Sequence, residues 1–149
     1  MQINHDRIEK YLNDIASEVD DTNSILSRPD EQILGDRHLL KSLKYSVVVI
    51  AEAIGGVLQH ILAKRHNVAI GGYVEAFVKS REYRIVPEDL IERLLPFSRF
   101  RNMLVHQYWK VDDRVFLENI RAGIEDFRSF TKIIKDMPKA DLSNSSNDK

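Results

Sequence analysis

Apolar residues return at helical spacing along almost the whole chain. Ile3, Ile8, Leu12, Ile15, Val19 and Ile25 follow a repeat near 3.6 residues and predict a helix from residue 3 to about 26. Ser27-Arg28-Pro29-Asp30 breaks it. Asp36 can cap a second helix carrying Leu39, Leu43, Val47, Ile50, Ile54, Val57, Leu58, Ile61 and Leu62. At about 30 residues and about 1.5 Å of rise each, that helix would cross a whole small domain. Gly55-Gly56 lies inside it. Each glycine costs about 1 kcal/mol relative to alanine in a helix, so the pair predicts close approach of another helix or a local bend. Asn67 to Gly72 reads as a loop, and Tyr73 to about Glu82 as a short helix with Phe77 facing in. Pro87-Glu88-Asp89 is a favourable helix start, opening a helix over about 87–107. Pro96 inside it predicts a kink or break near Leu95. Asp112 or Asp113 can cap a last helix over about 114–136, with Val115, Phe116, Ile120, Ile124, Phe127, Ile133 and Ile134 on its apolar face. No useful β-alternation, internal repeat or linker interrupts this pattern. The expected architecture is all-α, an up-and-down helical bundle of four long helices plus one short one. The folded domain is expected over residues 1–137. From Pro138 the composition turns to Ser, Asn, Asp and Lys, so 138–149 is expected to be a disordered tail.

With 149 residues, 43% of them hydrophobic and 30% charged, the chain suits one soluble domain with its own core. The absence of cysteine removes disulfides, thiolate nucleophiles and Cys-based zinc sites, and fits a reducing cytoplasm. The start, MQINHDRIEKYLNDI, is acidic and amphipathic, unlike a signal peptide. The longest apolar run, Val47 to Ile54, contains Glu52 and is too short to span a bilayer, so no membrane role is expected. Net charge is -1, so a bulk electrostatic grip on nucleic acid is not expected. Charge is nevertheless uneven. Between Arg93 and Arg114 stand Arg93, Arg99, Arg101, Lys110 and Arg114 against only Asp112 and Asp113. A local positive site fits a small RNA contact better than a broad polybasic surface, and Arg99 and Lys110 are the candidate flanking contacts. For any one of these charges the plain alternative is a solvated helix face.

Candidate chemistry concentrates in Arg101-Asn102-Met103-Leu104-Val105-His106-Gln107-Tyr108. Arginine clamps phosphate with paired donors, and histidine moves protons near neutral pH. On an ideal helix Arg101 and Tyr108, seven positions apart, share a face, whereas Arg101 and His106 diverge by about 140°. Asn102 lies one turn before His106 and could orient its imidazole. Metal-free RNA cleavage by the 2′-hydroxyl needs proton transfer, a role for His106, and positive charge on the phosphorane, a role for Arg101. One histidine cannot be base and acid at once, and a two-fold dimer would supply a second. Arg-x4-His by itself recurs by chance. The alternative is a surface arginine and a histidine hydrogen-bonded at a helix end.

The octapeptide resembles the signature of HEPN-domain ribonucleases, specifically the HepT-like toxins, whose pattern is Arg-Asn-x-(apolar)-Val-His-x-Tyr. Gly72-Tyr73-Val74-Glu75-Ala76-Phe77 resembles the short Tyr-x-x-(Ala)-Phe helix of that family, and Ile85-Val86-Pro87-Glu88-Asp89-Leu90 its entry to the motif helix. Order and spacing agree from about residue 3 to 135. The chain departs from the pattern at Pro96-Phe97-Ser98-Arg99, where an uninterrupted helix is expected. The resemblance implies a HEPN fold, a homodimer with its cleft at the interface, and metal-independent endoribonuclease activity without a cofactor. It also implies the toxin role in a type VII toxin–antitoxin pair, the antitoxin being an MNT-type nucleotidyltransferase. Arg101 and His106 are implied as catalytic, Asn102 and Tyr108 as supporting, and Tyr108 as the site of AMPylation. An adenylyl group there would add bulk and negative charge to the phosphate site. Some relatives have weak or absent RNase activity, which leaves the alternative of an inactive HEPN module binding a nucleotidyltransferase and a nucleotide.

His60 and His66 lack a completing carboxylate and read as solvated or helix-end histidines, so no metal site is expected. Lys64-Arg65-His66 suits the negative end of the long helix. Glu52 amid apolar residues is expected to pair with an arginine or line a dimer cleft. Tyr45, Tyr73, Phe77 and Phe100 read most simply as core. Trp109 is suited either to stacking on a base or to packing under the last helix.

Overall fold

The computed structural model describes residues 3–137, so the expected tail at 138–149 lies outside the described residues. Six α-helices and one 3-10 turn follow in order: α1 (His5–Leu26), α2 (Asp30–Leu34), α3 (Arg37–His66), α4 (Tyr73–Glu82), α5 (Glu88–His106), the 3-10 turn Tyr108–Lys110, and α6 (Asp113–Asp136). Asp36 and Asp112 cap their helices as expected, and Asn4 supplies a further cap that the apolar spacing did not indicate. Asn4 accepts from the Arg7 N–H, Asp36 from the His38 and Leu39 N–H groups, and Asp112 from the Val115 N–H. Asn67 closes α3 in the left-handed conformation that asparagine tolerates.

Four long helices form a ring in which α1 packs on α3, α3 on α5, α5 on α6 and α6 back on α1. Each neighbour pair is antiparallel. The start of α1 meets the end of α3, where the Asn4 N–H donates to His60, while Glu18 near the end of α1 accepts from Ser46 near the start of α3. Arg93 against Asp126, and Phe100 against Phe116, set α5 against α6 in the same sense. The core is continuous through all of them, with Leu43, Ile50, Ile54, Leu58, Phe77, Phe116, Phe127 and Phe130 fully buried.

Some expectations change. The break after α1 contains a five-residue helix, α2, that the pattern does not reveal because five residues are too few for a hydrophobic period. Ile33 plugs it into the core, and Arg121 fastens it by donating to the Asp30 carboxylate and to the Leu26 and Arg28 carbonyls. Helix α5 runs through Pro96 without a break. Tertiary packing of Leu94, Leu95, Phe97 and Ser98 on either side holds the turn together, although Pro96 supplies no N–H. Gly55-Gly56 marks close approach: a Cβ on Gly56 would meet the Tyr11 ring of α1, and one on Gly55 would overlap the Tyr73 ring of α4. By length and composition α3 passes for a membrane-crossing helix, yet 72% of its most apolar stretch is buried inside the bundle, as in a core helix. Tyr45 is 66% exposed rather than core, and Val115 stands outside the apolar face of α6. His60 is buried rather than solvated, its Nε2 accepting from Asn4.

Candidate functional site

Arg101 projects from the last third of α5 toward α3. Its Nε and one terminal nitrogen lie 3.0 and 2.9 Å from Glu52 Oε2, so Glu52 is paired with an arginine, as expected. The other terminal nitrogen donates to Asn102 Oδ1 at 3.1 Å. The guanidinium carbon lies 4.7 Å from the centre of the Tyr73 ring, a cation–π contact. That ring rests on the bare backbone of Gly55, so glycine in α3 and tyrosine in α4 together set the height of Arg101. Burial, and then the Glu52 carboxylate, raise the Tyr73 phenol above its ordinary value, against the opposing pull of Arg101. Of the guanidinium N–H groups, three are used, which leaves one on each terminal nitrogen.

His106 is the last residue of α5. The backbone of Gln107 (φ -144, ψ 45) then leaves helical geometry, and the chain enters the 3-10 turn. Arg101, Asn102 and His106 line one groove of about 570 Å³, walled opposite by Gly71, Tyr73 and Glu75. Arginine and histidine, divergent on an ideal helix, are thus brought to one cavity by the shape of the α3–α4 loop and the start of α4. The imidazole is exposed and, among the described residues, has no hydrogen-bond partner.

Two expectations about the motif are corrected. Tyr108 does not share the face of Arg101, because the helix ends two residues before it. It lines a different groove, of about 720 Å³, with Leu104, Arg37, Lys41, Lys44 and Tyr45. Asn102 spends its carbonyl oxygen on Arg101 rather than on the His106 imidazole. Arg99 and Lys110 are both exposed and line neither groove. Trp109 is 66% exposed and meets Tyr108 edge-on, with ring centres 5.4 Å apart, so it does not pack under α6. Tyr73, read from the sequence as core, is the residue that sequence reasoning missed. Its signal was the Gly55-Gly56 pair, a gap in α3 that needed a flat ring to fill it.

The family model for "Ribonuclease HepT-like" matches residues 4–134. A tRNA nuclease HepT of Aphanizomenon flos-aquae is 29% identical over 109 residues, covering 73% of this chain and 69% of that protein. Among solved structures, a tri-AMPylated HEPN toxin of Shewanella oneidensis in complex with MNT antitoxin has the same fold (TM-score 0.81, 19% identity, 89% of this chain and 98% of that one). So does a mutant MntA–HpeT toxin–antitoxin (TM-score 0.78, 19% identity, 89% and 99%). The match across nearly the whole described chain is decisive: this protein belongs to the Ribonuclease HepT-like family.

Proposed function

We propose that the chain is the toxin of a type VII toxin–antitoxin pair, an endoribonuclease that cuts RNA without a metal ion. The observation that carries this reading is the single groove shared by His106 and a pre-positioned Arg101. In the reaction the 2′-oxygen bonds to the adjacent phosphorus and gives up its proton, the bond from phosphorus to the 5′-oxygen breaks, and that oxygen takes a proton. Arg101 offers its two remaining N–H groups to the phosphorane oxygens, where charge develops. Asn102 and Glu52 hold the guanidinium so that little reorganisation is needed. His106 moves protons, and a homodimer supplies a second His106 for the opposite transfer. Apolar side chains exposed around the motif, among them Val105 and Trp109, support such self-association. Arg99 and Lys110 are outer contacts to the strand.

The named activity of the Aphanizomenon relative makes tRNA the first substrate to try. The Shewanella toxin, tri-AMPylated and complexed with an MNT antitoxin, supports a nucleotidyltransferase as partner and Tyr108, 68% exposed, as the acceptor. The test is incubation of the purified, antitoxin-free protein with tRNA in EDTA, beside Arg101→Ala and His106→Ala. Cleavage by the parent is expected, with each variant slower by at least about a hundredfold. Equal cleavage by both variants overturns the assignment of roles. No cleavage by a parent whose intact mass shows an unmodified Tyr108 replaces this reading with that of a non-catalytic partner of a nucleotidyltransferase.

A further inference from the structure

One stripe of α3 passes both grooves. Lys41, Tyr45, Val48, Glu52 and Gly55 recur at alternating steps of four and three, so they lie on one side of the helix. With Arg37 at its start the stripe is about 27 Å long. Its far end, Glu52 and Gly55, supports Arg101 and Tyr73 in the groove of His106. Its near end, Arg37, Lys41 and Tyr45, lines the groove of Tyr108. Only Gln107 separates His106 in one groove from Tyr108 in the other, a Cα separation of at most about 7 Å, on the scale of one nucleotide.

The second groove carries the chemistry of a nucleotide strand. Lys44 is neutralised by Asp113 at 2.7 Å, but Arg37 and Lys41 have no ion-pair partner among the described residues. The Tyr45 and Tyr108 rings, 66% and 68% exposed, offer flat faces to bases, and Leu104 and Val48 supply an apolar floor. Two unpaired cations beside two exposed aromatic rings match single-stranded RNA better than a protein helix, which would need the apolar floor without the charges.

We infer that this groove, formed by Arg37, Lys41, Tyr45 and Tyr108, is a strand-binding subsite of the RNA substrate, next to the cleavage groove and distinct from it. The inference rests on the RNase reading above and specifies how the substrate lies: its scissile phosphate at Arg101 and the adjoining nucleotides along α3. It also changes how modification of Tyr108 acts. An adenylyl group there occupies the strand groove, beside Arg37 and Lys41.

The test is binding of a fluorescent single-stranded oligoribonucleotide to full-length His106→Ala protein, titrated across salt concentrations. Arg37→Ala/Lys41→Ala is made in that background, and Lys10→Ala/Lys135→Ala serves as a charge-matched control on α1 and α6. The groove variant is expected to bind roughly tenfold more weakly, with a salt slope shallower by about 1.4 for two lost phosphate contacts. The control is expected to track the parent. Equal loss in both double variants, or in neither, overturns the subsite while leaving the RNase reading intact. Sedimentation of the same samples covers the other occupant: if the groove variant loses self-association and binds the oligonucleotide like the parent, the cations belong to a contact between copies and the subsite is overturned. A parent that binds no oligonucleotide overturns this inference, while the RNase reading stands or falls on the cleavage of tRNA, which separates the two failures.

Discussion

At Arg101 the inward-facing donors are taken by Glu52 and Asn102, and the Tyr73 ring fixes the plane of the guanidinium from the side. The exposure of the pair is modest, 17% for the arginine side chain and 38% for the glutamate, so water screens the contact only in part. Tyr73→Phe keeps the ring and is expected to cleave RNA within about twofold of the parent. Tyr73→Leu removes the flat face and frees the guanidinium to shift. It is expected to lower kcat about ten- to a hundredfold with an unchanged circular dichroism spectrum. Equal rates for the two variants would show that the ring is only filler. A different residue carries a pH response. Burial, then the positive charges of Arg7, Lys64 and His5, hold the His60 imidazole below its ordinary value, and its neutral form accepts from the Asn4 N–H. A depressed folded value means that the unfolded chain binds the proton more readily. The stabilisation is therefore present above the unfolded value of about 6.5 and is lost as pH falls toward and through the folded one. His60→Gln is expected to flatten the fall in urea midpoint between about pH 7 and pH 5. It should not abolish it, because His66 is shifted in the same direction by its own burial and by Arg65.

Helices in this chain touch through glycines placed opposite rings. A Cβ on Gly123 of α6 would come within 2.6 Å of the Phe97 ring of α5, and Phe97 is itself wedged edge-on against Phe127 at 4.8 Å. Alanine in mid-helix gains about 1 kcal/mol over glycine. Overpacking a closed core costs about 1–3 kcal/mol, and a buried phenyl ring with neighbours on both sides has nowhere to move. The overlap is expected to win, so Gly123→Ala should lower the urea midpoint without changing the m-value. A raised midpoint would mean that α5 and α6 can slide apart more easily than their contact suggests. At the start of α3 the Asp36 side chain satisfies two N–H groups. Asp36→Ala is expected to cost about 1 kcal/mol in the same experiment.

Across the whole molecule the ring of four antiparallel helices buries α3 on most sides and leaves its Arg37–Glu52 stripe facing α5 and solvent. This arrangement resolves the double character of α3, which is apolar enough for a membrane and yet carries the charged residues of the site. The exposed Val105, Trp109 and Val115 all belong to this end of the molecule or to the turn beside it. Self-association through that end is the expected state in solution, and Trp109→Ala/Val105→Ser is expected to shift sedimentation from dimer toward monomer. On the proposed dimeric mechanism dissociation removes the second His106, so cleavage should fall with it. A dissociated protein of full activity would mean that one protomer supplies both proton transfers.

Long periodic segments were legible from the chain because burial of one helix face imposes its period on every residue of that face. This is why α1, α3, α4 and α6 begin and end within a few residues of expectation, and Asp36 and Asp112 were legible as caps because an aspartate before an apolar period can accept from the first free N–H groups. The motif was legible only through the resemblance of the whole octapeptide to the HepT-like signature, since Arg-x4-His by itself recurs by chance. Periodicity could not reveal α2, which is shorter than the pattern, nor the persistence of α5 through Pro96, where packing outweighs the missing N–H. Nor could it assign directions in space. The helical wheel joins Arg101 to Tyr108 and separates it from His106. The folded chain does the reverse, because α5 ends at His106 and the start of α4 closes over Arg101. Local spacing along the chain set which residues were available for chemistry and which faces had to be buried. Which side chains meet in a groove was decided only by tertiary structure, because that depends on where a helix stops and on what the neighbouring helix places against it.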